Sequence, residues 1–113
     1  MRTESPMKNA IHSFKTESTL TLDLKGVRSK KALMEALGTS LKLPKHYGQN
    51  WDAFADCVMD ADWAKAAGYT VLVLDSAAAQ KRFGEDWDTL TDILEEACDW
   101  WGERDKAFHV VMA

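Results

Sequence analysis

The chain has 113 residues, is 46% hydrophobic with five tryptophans, and carries a formal charge of −4 from 18 acidic and 14 basic side chains. That length supports one compact domain with its own core and leaves no room for a second. The acidic balance argues against a nucleic-acid binder held by phosphate contacts, which needs a concentrated basic face, and makes a cationic protein the natural partner. Residues 1–10 lack the apolar core of a signal peptide, and no run anywhere is long enough to span a bilayer, so the expected compartment is the cytoplasm, without membrane contact. In that compartment Cys57 and Cys98 read as buried thiols rather than a disulfide, and their number and spacing suggest no zinc site.

In chain order, residues 1–17 are polar, with Ile11 and Phe14 as their only apolar anchors, and read as a flexible extension ahead of a domain over 18–113. Thr19 to Leu24 alternates apolar and polar as a half-buried strand does, and Gly26 ends it. Ser29 can cap a helix to about Leu41, with Leu33, Leu37 and Leu41 toward the core and Gly38 as a weak point. Pro44 and Gly48 bound a loop from Leu43 to Asn50. Asn50 caps the next helix, which starts at Trp51 and runs to about Asp60 or Asp62.

Gly68 opens a strand over Tyr69 to Leu74 whose near-continuous apolar run predicts burial on both faces, at the centre of a parallel sheet. Asp75 or Ser76 caps a short helix to Phe83, which Gly84 breaks. A long helix from Asp86 or Asp88 to about Gly102 follows, burying Leu90, Ile93, Leu94, Ala97 and Trp101 and exposing Asp92, Glu96, Asp99 and Glu103. Phe108 to Met112 is a third strand. Strand, helices, strand, helices, strand implies right-handed crossovers, hence an α/β fold: a small three-stranded parallel sheet flanked by about four helices.

The chemistry gathers around the second helix. Asp52, Asp56 and Asp60 are spaced i, i+4, i+8 and form one stripe, beside an apolar stripe of Trp51, Phe54, Val58 and Ala61. Like charges at that spacing cost roughly 0.2–0.5 kcal/mol per pair, so local stability gives no reason for the row. Solvated surface acids explain the spacing as readily as a binding face does.

The run Leu43-Pro44-x-x-Tyr47-Gly48-x-Asn50-x-Asp52-Ala53-x-x-Asp56-Cys57 resembles the signature of the barstar family of intracellular ribonuclease inhibitors, and a weaker likeness extends over roughly residues 18–112. The resemblance implies a barstar-like fold and a one-to-one complex with a cognate basic ribonuclease of the extracellular type. In that complex the acidic loop and helix imitate RNA phosphate. Asp56 matches the family's central acidic residue and is expected to enter the nuclease active site, with Asp52 as a second acidic contact. His46 stands where the family carries a contacting tyrosine, and Ala55 where it carries a tryptophan. Tyr47, Gly48 and Asn50 hold the loop, and Glu96 falls near an outlying acidic contact. Trp51 stands for a leucine, Gln49 for a glutamate and Asp60 for a glycine. Acids kept within an altered rim imply the same strategy against a different nuclease.

Two other classes compete. The same fold and acid face suit a regulatory or immunity module for a protein that is not a ribonuclease. A metal-dependent hydrolase would use the three aspartates as ligands, but an i, i+4, i+8 row spreads over roughly 12 Å of straight helix and cannot converge on one ion. No phosphate loop, nucleophile signature or HExxH motif is present. No catalytic residue, metal or cofactor is therefore expected.

Overall fold

The computed structural model describes residues 17–44, 47–60, 63 and 68–113. Strand β1 (Glu17–Asp23) leads to helix α1 (Lys30–Ser40) and the short helix α2 (Trp51–Val58). Strand β2 (Gly68–Leu74), helices α3 (Ser76–Phe83) and α4 (Glu85–Gly102) and strand β3 (Ala107–Met112) follow. The three strands form one parallel sheet in the order β1-β2-β3, with β2 central. This is the α/β arrangement that the order of patterns implied. The expected extension over 1–17 falls on residues outside the described ones, save Glu17.

Register decides which side chains meet. Leu20 pairs with Val71 and Val71 with Val110, while Leu22 pairs with Val73. These residues share one face, and there Leu20, Leu22, Leu24, Tyr69, Val71, Val73 and Phe108 are buried. The alternate residues of β2, Thr70, Leu72 and Leu74, are only half-buried, and their neighbours Thr19, Thr21, His109 and Val111 are exposed. The expectation that β2 is buried on both faces is thus corrected. Its apolar run reads as two-sided burial, but the flanking strands place threonines and a histidine beside it, and one face stays open to solvent among the described residues.

Helix α1 starts where Ser29 Oγ accepts the Ala32 amide at 3.1 Å, and it buries Leu33, Met34 and Leu37, with Leu41 buried just beyond its end. Helix α4 opens on Glu85, Asp86 and Asp88, carboxylates that favour the positive end of the helix. Its buried stripe is Trp87, Leu90, Leu94, Ala97 and Trp101; Ile93 is half-buried on the flank, and Trp87 joins because the helix begins at Glu85, ahead of the predicted start. Gly84, at φ 56, is the turn shared by α3 and α4, a conformation that favours glycine. Arg82 ties α3 to the end of β1, donating from Nε to Val27 O at 2.7 Å and from Nη2 to Leu24 O at 2.8 Å.

Both cysteines are free, Cys57 buried and Cys98 half-buried. Among the described residues no helix is long and apolar enough to cross a membrane.

Candidate functional site

The loop before α2 is built from short hydrogen bonds. Leu43 N donates to Gly38 O at 3.0 Å and Tyr47 N to Pro44 O at 2.9 Å, which turns the chain tightly over the end of α1. The Tyr47 hydroxyl points inward, donating to Met34 O at 3.3 Å, and its ring lies against Gly38, where an added Cβ would come within 3.1 Å of it. What looked like a weak point in α1 is the notch that lets the loop sit down. Tyr47 is therefore a buttress of the loop.

Burial, helped by Cys57, pushes the Tyr47 hydroxyl up from 10.0 to about 12. A raised pKa means that the folded state holds the proton more tightly. The stabilisation is complete below the unfolded value near 10.0 and is lost as pH rises through about 12. Denaturation midpoints followed from pH 9 upward should fall more steeply in the parent than in Tyr47→Phe.

Asn50 performs the expected double service. Its Oδ1 accepts the Ala53 amide at 2.8 Å, capping α2, while its Nδ2 donates to Gly48 O at 3.4 Å, bracing the loop. Asn50→Ala should cost about 1 kcal/mol in a urea titration, the usual loss for a helix cap. Gln49 enters the turn at φ 55, a left-handed conformation that sets up the extended cap residue.

Helix α2 is shorter than predicted. It ends at Val58, with Met59 as its last cap, so Asp60 lies beyond it and is half-buried. The three-acid row is corrected to a pair: Asp52 in the first turn and Asp56 one turn on, both exposed, while Phe54, Cys57 and Val58 face the core. Among the described residues neither Asp52 nor Asp56 forms an ion pair. Beside Asp56 is a hollow of about 230 Å³ lined by Ala53, Asp56, Cys57 and Asp60. Burial pushes the Cys57 thiol up, and Asp60 and Asp56 add to the shift, so Cys57 stays protonated near neutrality.

The other predicted residues divide. Ala55 is half-buried on α2 and Gly48 is exposed in the loop. His46 lies outside the described residues. Glu96 is exposed on α4, roughly 80° around the axis from Asp86, which bonds α2, and roughly 160° from Cys98, on the flank toward β3. It thus belongs to the outer flank nearer α2. No group of three or more His, Cys, Asp or Glu among the described residues is arranged to hold a metal ion.

Two contacts of α2 went unread in the sequence. Trp51 Nε1 donates to Asp86 Oδ1 at 3.3 Å, and Trp101 Nε1 to Val58 O at 2.8 Å. Only the excess of tryptophan hinted at them, since buried indoles usually find an acceptor.

A search of curated proteins finds no match. A family model described as Barstar (barnase inhibitor) matches residues 17–113, from the first residue of β1 through the last residue of the chain. With the sheet order, the capped loop and the exposed acid pair in place, that match shows that the chain belongs to the barstar family.

Proposed function

We propose that this protein is an immunity-type inhibitor that blocks the active site of a small, basic, extracellular-type ribonuclease in a one-to-one complex. Residues 18–113 are the working domain, in the cytoplasm of the producing cell. A ribonuclease that cleaves by transphosphorylation gathers cationic groups around the scissile phosphate, and without RNA they form an exposed positive pocket. Asp56 enters that pocket and accepts charge-assisted hydrogen bonds in place of the phosphate. Asp52 pairs with a neighbouring cation, Gly48, Asn50 and Ala55 shape the rim over the Tyr47 buttress, His46 is a further contact with the nuclease, and Glu96 makes an outlying one.

The observation that carries this reading is the pair Asp52 and Asp56, exposed and outside any ion pair with described residues, on a helix whose other face is core. Asp52, in the first turn, is also favoured by the positive end of α2, whereas Asp56 has neither that position nor an ion pair among the described residues to account for it. The test is capture, at low salt, of secreted and cytosolic proteins of the source cell on the immobilised protein, with ribonuclease activity assayed in each fraction. Capture of a basic ribonuclease, its inhibition, and loss of both with Asp56→Ala are expected. Capture of a partner without nuclease activity would overturn the reading in favour of a regulatory module.

A further inference from the structure

We infer that Asp86, on α4, is a positioning residue for the acidic helix and acts through Trp51; the inference rests on the reading of α2 as the inhibitory element. Eight residues make a helix of roughly 12 Å, too short to hold its place by its own hydrogen bonds. Helix α2 is held by two indoles. At its start Trp51 Nε1 donates to Asp86 Oδ1 in the first turn of α4, at 3.3 Å. At its end Val58 O accepts from Trp101 Nε1, near the end of α4, at 2.8 Å. Each helix supplies one indole, and start lies beside start and end beside end. With Phe54, Cys57 and Val58 already seated in the core, two tethers at opposite ends set what freedom is left to α2, its exact height and roll.

The two tethers differ in what their loss would do. Trp101 is only 3% exposed and belongs to the core, so removing it would damage the fold. The Trp51–Asp86 bond is only partly buried, and although the Trp51 ring packs on the core against Phe54, its acceptor Asp86 can be changed without touching that packing. That acceptor is a carboxylate oxygen in the first turn of α4, so its place is set by that helix. Lys30 Nζ lies 4.0 Å from the same oxygen, but at 58% exposure it is a screened and weak partner. Asp52 follows Trp51 directly, so a roll at this end displaces Asp52 at once and Asp56 one turn later.

The test uses a panel of immobilised small basic secreted ribonucleases, barnase among them, with dissociation rates measured for Trp51→Phe, Asp86→Ala, Asp86→Asn and the double variant Trp51→Phe/Asp86→Ala. Trp51→Phe and Asp86→Ala should each dissociate roughly tenfold faster, with the double variant no faster than either. Asp86→Asn keeps a carbonyl oxygen for the indole and should restore slow dissociation. Unchanged dissociation in Asp86→Ala overturns the inference, as does Asp86→Asn dissociating as fast as Asp86→Ala, which would make charge the cause. Asp56→Ala, run alongside, separates the two claims: if it weakens binding and Asp86→Ala does not, positioning alone has failed. If Asp56→Ala binds like the parent, or no ribonuclease binds, the inhibitory reading has failed. The tether is then judged by amide exchange at Ala55 to Val58, where faster exchange in Asp86→Ala supports it and unchanged exchange overturns it.

Discussion

Replacing Asp56 by alanine is expected to weaken the complex with a basic ribonuclease by about 2–5 kcal/mol, the cost of truncating one partner of a buried, hydrogen-bonded charge pair. Most of that loss is the penalty of leaving the nuclease's cationic groups desolvated with nothing to neutralise them, so it should show chiefly in the dissociation rate. The free protein should respond in the opposite sense. Asp56 is exposed, lies one helical turn from Asp52 and shares a hollow with Asp60. Removing it relieves like-charge repulsion, a gain of roughly 0.2–0.5 kcal/mol per pair on a helix. A urea midpoint equal to or slightly above the parent's, together with a complex that falls apart faster, is the signature of a residue kept for binding against a small folding cost. Asp56→Asn, which keeps the shape and removes the charge, should recover little. Rising salt should narrow the gap between parent and variant, because the screened part of the attraction is what the parent alone possesses.

Strand order, helix order and the caps at Ser29 and Asn50 were legible because each is written in a local pattern: a period of two or 3.6, or a polar residue ahead of an apolar stripe. The errors came where a local pattern ran past a tertiary boundary. The apolar stripe of α2 continues through Val58 to Ala61 in sequence, and no glycine or asparagine marks the stop, so nothing local showed that Asp60 leaves the helix. The two-sided burial predicted for β2 failed for a related reason. Leu72 and Leu74 look like core, yet the company they keep on that face, Thr19, Thr21 and His109, is set by register between strands some fifty residues apart in one case and some forty in the other. Trp51 and Asp86 are separated by 35 positions, and no periodicity relates an indole in one helix to a carboxylate in another. The use of Gly38 went unread because a helix-interior glycine shows its local cost, roughly 1 kcal/mol against alanine, while the room it leaves for the Tyr47 ring is visible only in three dimensions.

Phe54→Ala should have the largest effect on the fold, about 3–5 kcal/mol. Phe54 lies between Asp52 and Asp56 in sequence but is 0% exposed, an interior member of the core cluster, and meets Trp51 edge-on with ring centroids 6.0 Å apart. Alanine removes the ring and leaves a cavity that a short helix, pinned at both ends to α4, cannot collapse to fill. A domain of this size has only about 5–15 kcal/mol of net stability, and each kcal/mol moves the unfolding temperature of a small domain by several degrees. Phe54→Ala should therefore melt at least roughly 12 °C below the parent, with Phe54→Leu falling between them. Its binding defect is of a different kind from that of Asp56→Ala. Bound nuclease favours the folded state by mass action, so saturating partner should raise the Phe54→Ala midpoint and recover much of the complex. Asp56→Ala, already folded, has nothing for the partner to rescue. On the proposed function, two residues two positions apart divide the work of one helix, the ring holding it in the core and the carboxylate offered to the nuclease. A Phe54→Ala midpoint within a degree of the parent's would show that the ring does not hold the helix in the core.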